Sequence, residues 1–98
     1  MSYIDLKQLK EVTKQPSMYW GNRLSLMACE ECGEFIQAES KLERKMYAKK
    51  PFDDEYDHLI EEIGDVLIAM GMVMNHYCIG ADDVSKAIDS KLNEERTV

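Results

Sequence analysis

The nine residues Val66 to Met74, VLIAMGMVM, present an apolar surface on every side of any helix they form. A helix that is hydrophobic all round is buried all round. At 98 residues, one four-helix bundle scarcely has enough chain to wrap such a segment completely. The sequence therefore predicts a homo-oligomer, a dimer or tetramer, with this segment at its centre. Gly64 and Gly71, seven residues apart on the same segment, either permit close helix approach or are tolerated at a modest propensity cost.

The rest of the chain reads as helix too. No strand alternation or internal repeat stands out, and with five glycines and two prolines there are few breakers. The pattern predicts a first helix from about Ser2, a plausible N-cap, to Lys14, with Pro16 punctuating its end. A second runs from near Asn22 to about Lys49 and is stopped by Pro51. A third, capped by Asp53 or Asp54, continues to about Cys78 and closes at Gly80. A fourth spans about Asp82 to Glu95, its acidic first turn favoured by the helix dipole. Short connections between long helices make antiparallel neighbours, so residues 1–98 read as a single all-α domain of the four-helix-bundle type.

Four acids lie where such a bundle wants leucines. Glu31 and Glu34, then Glu62 and Asp65, form two pairs at i,i+3 spacing inside the two most apolar segments. On the second helix, Leu24, Met27, Ala28, Phe35, Ala38 and Leu42 define one stripe. Glu31 falls near its middle and Glu34 within it, whereas Glu30, Glu39 and Glu43 lie at its margins or beyond. On the third, the main stripe is Tyr56, Leu59, Ile60, Ile63, Leu67, Met70, Met74 and Tyr77. Glu62 and Asp65 sit on its flank with His58, Ala69, Met72 and His76, facing the second helix. Antiparallel packing then sets one pair opposite the other. Four ionised carboxylates in a small volume must take up protons or bind cations. Oxygen-only ligands suit hard ions, magnesium first and manganese second. An E-x-x-E alone is common on exposed helices; two pairs on facing stripes are not.

Composition removes other classes. A formal charge of −7 lacks the basic footprint of a nucleic-acid binder. No run of about 18 apolar residues predicts a membrane span, and the start MSYIDLKQLKEV is unlike a signal peptide, so cytoplasmic residence is expected. Three cysteines give no disulfide framework. Cys29 and Cys32 form a C-x-x-C in mid-helix with no second pair, which fits reduced thiols better than zinc.

EECGE (Glu30 to Glu34), followed 27 residues later by EIGD (Glu62 to Asp65), resembles the EExxE…ExxD signature of the all-alpha nucleoside triphosphate pyrophosphohydrolases, the MazG-like superfamily. LSLMACEECGEFIQAESK and LIEEIGDVLIAMGMVMNHYCIGADDV look like its two central helices, and the resemblance runs from about Leu24 to Arg96. It implies cleavage of a nucleoside triphosphate to the monophosphate and pyrophosphate, with Glu31, Glu34, Glu62 and Asp65 as magnesium ligands. Glu30 matches the family's first acid but points off the metal stripe. The resemblance also implies a place near the nucleotide for Asn75, and phosphate contacts for Lys91 and Arg96. On charge alone those two cations could simply be dipole-favoured residues of a last turn.

The chemistry is consistent with that family. A triphosphate brings about four negative charges to an acidic protein, so divalent ions must bridge the two. One carboxylate, Glu31 or Glu34, would accept the proton of the attacking water. Trp20, the only tryptophan, either stacks on a nucleobase or packs across the bundle end. Asn22 and Arg23 could reach base or phosphate, yet a cap and a surface cation need no function. His58, one turn before Glu62, and His76 fit hydrogen bonding or exposure better than ligation. The basic run from Lys41 to Lys50 is a solvated helix end that could also guide an anion. Two alternatives stand beside this reading. One is a phosphoribosyl-ATP pyrophosphohydrolase, disfavoured by the glycine in EIGD. The other is a non-catalytic oligomerisation module whose acids hold a structural ion.

Overall fold

The computed structural model describes residues 3–96, with side chains to residue 94. The elements are α1 (Leu6–Val12), α2 (Lys14–Trp20), a 3-10 turn (Gly21–Arg23), α3 (Leu24–Tyr47), α4 (Asp53–His76) and α5 (Ala81–Arg96). Among the described residues there is no strand, and no helix is long and apolar enough to cross a membrane.

The first helix begins later than expected and breaks in two. Ser2 lies outside the described residues; Asp5 is the cap instead, accepting from the Gln8 amide while Gln8 accepts from the Asp5 amide. This reciprocal pair satisfies two donors that the helix start leaves open. Pro16 does not end the helix, as its position had suggested. It falls in the first turn of α2, where its missing N–H costs nothing, and the break comes at Thr13. There the hydroxyl donates back to the Leu9 carbonyl at 2.8 Å, a bond that competes with the regular ladder and bends the chain.

The two long helices form an antiparallel hairpin, the principal contact of the fold. Both end in the same way. Lys49 and Cys78 adopt left-handed φ of 56°. The amides of Lys50 and Ile79 reach back to Lys45 and Met74 at 3.0 and 2.8 Å, which makes each a Schellman termination. Gly80 therefore does not close α4; its carbonyl accepts from Asp83 and Val84 at the start of α5. Nor do Asp53 or Asp54 cap α4. Phe52 occupies that position, and the acids fill the first turn, where the dipole favours them.

The flank of α4 that carries Glu62, Asp65, Ala69 and Met72 meets α3, as expected, whereas the main stripe is left bare within one chain. The stripe of bulky residues is the outer one: Tyr56, Ile60, Ile63, Leu67 and Met70 are all exposed. The face turned inward is the flank, with Glu62, Ala69 and Met72 buried beside Gly71 and Met74. Small residues explain the choice. Ala38, Ala69 and Gly71 allow α3 and the α1–α2 layer to approach closely. At Gly71 a Cβ would stand 2.6 Å from Thr13 Oγ1 and 3.1 Å from Leu9 Cγ. Gly64, by contrast, faces open space.

The core of one chain is small, centred on Leu24, Met27, Ala69 and Met72, with Trp20 and Ala28 against it. Two polar ties hold the N-terminal layer to α4. Ser17 Oγ donates to the Met72 carbonyl at 3.0 Å, and the Asn75 side-chain amide donates to the Lys10 carbonyl at 2.7 Å and to Thr13 Oγ1 at 3.1 Å. The last helix, α5, packs against α1.

Candidate metal centre

The hairpin brings three of the four expected ligands together. Glu31 from α3, with Glu62 and Asp65 from α4, each offer a carboxylate oxygen within 4.8 Å of the others. The i,i+3 spacing of Glu62 and Asp65 puts both on the side of α4 that meets α3. Glu31 sits between the buried Met27 and Ala38 on the matching side of α3.

Burial makes this arrangement costly without a cation. Glu62 is only 6% exposed. Its Oε2 and the Oε2 of Glu31 are shielded from solvent with no hydrogen-bond partner. Buried polar atoms are nearly always partnered, so two orphaned carboxylate oxygens in one cluster call for a positive charge. The Glu31 carboxyl is held above its ordinary range, first by burial and then by the charges of Glu34, Asp65, Glu62 and Glu30. A donor set made only of oxygens matches magnesium or manganese. The residues present thus fit a hard divalent ion.

Glu34 is placed differently from its expected position. It is exposed and stands outside the three-carboxylate group, although its charge still presses on Glu31. It occupies the rim. Glu30 is also exposed, as its place off the stripe implied. His58 is bonded to the site without joining it. Its Nε2 is 3.1 Å from Glu62 Oε1, while the ring nitrogens lie outside the carboxylate group.

Trp20 lies on the wall of a cavity of about 140 Å³ that also includes Met27, Glu31, Asp65, Ile68, Ala69 and Met72. The indole thus borders the acids as well as packing on the core. The Arg23 guanidinium sits 5.4 Å over its ring, a cation–π contact that fixes its outer side. Ile68 was not singled out from sequence. Its position, i+3 from Asp65, was the available signal.

Two other candidates, Asn75 and Lys91, stand apart from the acids within one chain. Asn75 stands ten residues beyond Asp65 on α4, about 15 Å along the axis, and its amide group is committed to α1. Lys91 on α5 pairs with Glu94 at 3.7 Å. The side chain of Arg96 lies outside the described residues. The three cysteines are free thiols.

The family model described as the MazG nucleotide pyrophosphohydrolase domain matches residues 21–97. No curated protein and no solved structure matches the chain. The match takes in α3, α4 and all four acids of the two pairs. By its sequence over more than three quarters of its length, and with the carboxylates gathered between its two long helices, the chain belongs to the MazG nucleotide pyrophosphohydrolase family.

Proposed function

We propose that the protein is a magnesium-dependent hydrolase that cleaves a nucleoside or deoxynucleoside triphosphate to the monophosphate and pyrophosphate. The observation that carries this reading is the cluster of Glu31, Glu62 and Asp65 with two orphaned oxygens, in a chain of this family. Magnesium, with manganese as a substitute, supplies charge neutralisation and Lewis acidity toward the phosphoanhydride.

The chain's own residues have separate tasks. Glu62 and Asp65 hold the cation side of the cluster. Glu31, already held above the usual carboxylate range, is suited to accept the proton of the attacking water, because a base works best with its pKa near the operating pH. Glu34 on the rim is the second candidate for that role. Trp20 offers a flat apolar wall beside the acids for a nucleobase. Lys91 and Arg96 are assigned to the polyphosphate. Because α5 packs against α1 rather than α3, that contact calls for a second copy of the chain.

A homo-oligomer, dimer or tetramer, belongs to the same proposal. The radius of gyration is 15.9 Å, against about 13 Å for a compact 100-residue domain. The bulky stripe of α4 also has nothing over it.

The test is a panel of nucleoside triphosphates with magnesium, followed for pyrophosphate and orthophosphate separately. Pyrophosphate release that stops with EDTA supports the reading. Turnover of no triphosphate by a magnesium-loaded protein would leave the acids as a structural ion site.

A further inference from the structure

We propose that His58 sets the ion preference of the cluster. By engaging one oxygen of Glu62, it restricts that carboxylate to single-oxygen ligation and so favours magnesium over calcium. The inference rests on the proposed metal site and goes beyond it, because it concerns which cation the site selects.

The two oxygens of Glu62 have different surroundings. Oε1 is 3.1 Å from His58 Nε2, whereas Oε2 is shielded from solvent with no partner. The Glu62 side chain is 9% exposed, so it cannot swing into water. The two residues are one turn apart on the same helix, and α4 itself fixes their relative position. When Nε2 carries the proton, it donates to Oε1 and leaves Oε2 as the oxygen without a partner.

Cations differ in what they ask of a carboxylate. Magnesium accepts six single oxygens in a near-ideal octahedron at about 2.0–2.1 Å. Calcium takes roughly 6–8 oxygens at 2.3–2.6 Å and commonly uses both oxygens of one carboxylate. A Glu62 whose Oε1 accepts from His58 serves the first geometry fully, whereas the second makes the cation compete with His58 for the electron density and orientation of Oε1. Hydrogen-bonded partners of metal ligands typically change affinity about 10–100-fold when removed.

His58 is half exposed, with a side-chain exposure of 49%, so replacing it disturbs little packing. The experiment measures magnesium and calcium binding separately by titration calorimetry on the full chain, His58→Leu and His58→Gln, with circular dichroism confirming helicity. His58→Leu has no donor and is expected to narrow the magnesium-over-calcium ratio about tenfold. His58→Gln keeps an N–H donor and is expected to retain most of the ratio. An unchanged ratio in His58→Leu, or equal losses in both variants, overturns the proposal while leaving the metal site in place. An unaltered chain that binds neither cation overturns both.

Discussion

Glu31 on α3 and Glu62 on α4 each bury an Oε2 with no hydrogen-bond partner, and their carboxylates approach within 4.8 Å across the helix hairpin. Two like charges are thus held together by the packing of the helices that carry them. A bound cation would relieve that repulsion.

The first consequence is a pH dependence of the metal-free protein. The folded-state pKa of Glu31 is raised above the ordinary carboxylate value of 4.5 by burial and neighbouring acids. Between those two values the folded chain binds more protons than the unfolded one, so stability falls as pH rises through that window. In EDTA, Tm is expected to decline as pH climbs from about 4.5 toward neutrality. Glu31→Gln should flatten that decline and melt higher than the unaltered chain at pH 7. Magnesium should restore about 2.7 kcal/mol at a hundred times its Kd. A metal-free Tm that rises over the same range would contradict the clustering of charge.

Glu62→Gln and Asp65→Asn test the ligands directly. Each removes one negative oxygen donor while nearly preserving shape. Pyrophosphate release is expected to fall about a hundredfold or more, with metal-free stability equal to or above that of the unaltered chain. Glu34→Gln, at the exposed rim, should lose less in magnesium affinity than either. Calorimetric titration with magnesium separates the two classes, and identical affinity losses for all three would return Glu34 to the inner set.

The helix ends give a prediction about stability alone. Lys49 and Cys78 hold left-handed φ of 56° without being glycine, which costs L-residues roughly 1–2 kcal/mol. Lys49→Gly and Cys78→Gly remove that strain but enlarge the freedom of the unfolded chain. Each is expected to raise stability by up to about 1 kcal/mol in denaturant unfolding. Loss of stability in both would mean that side-chain contacts at these turns outweigh the backbone term.

Gly71→Ala carries the opposite sign. The added methyl would meet Thr13 Oγ1 at 2.6 Å and Leu9 Cγ at 3.1 Å. Thr13 cannot yield easily, since its hydroxyl is bonded to Leu9 and Asn75 in a buried position. Overpacking of this kind costs about 1–3 kcal/mol, more than the roughly 1 kcal/mol that alanine returns in helix propensity. A net destabilisation is expected, read from the urea midpoint, with weakening of the ties from Ser17 to the Met72 carbonyl and from Asn75 to Lys10 and Thr13.

The two long helices and their connection were legible in sequence because prolines and acidic first turns mark helix boundaries at short range. The meeting of Glu31, Glu62 and Asp65 was legible from helical periodicity plus antiparallel pairing. Two features were not legible. That the bulky stripe of α4 is left bare within one chain depends on close approach at Ala69 and Gly71, a competition between shapes that hydrophobicity does not register. The division of the first helix falls at Thr13, whose hydroxyl bonds back to Leu9 and accepts from Asn75 of α4, a long-range contact that the local sequence does not announce. Glu34 shows the limit well: a position within the apolar stripe of α3 was compatible with either the interior or the rim.

The outer stripe of α4 leads to the last prediction. Tyr56, Ile60, Ile63, Leu67 and Met70 recur at alternating steps of four and three residues, the spacing of a helix–helix seam. Ile60 is 54% and Leu67 48% exposed, and Leu26 and Ile36 on α3 are bare as well. A contiguous row of exposed apolar side chains on one helix face marks an interaction surface. Sedimentation at micromolar concentration should therefore find a dimer or tetramer. Leu67→Glu, which places a charge in the seam, should shift the chain toward monomer by at least tenfold in Kd and lower Tm. The carboxylate cluster faces α3, away from this seam. If copies share the site as proposed, the dissociated variant is expected to keep its magnesium affinity and to lose the substrate affinity assigned to Lys91 and Arg96 of a second copy. A chain that sediments as a monomer with an unaltered seam would leave the apolar stripe without a role and remove the shared-site reading.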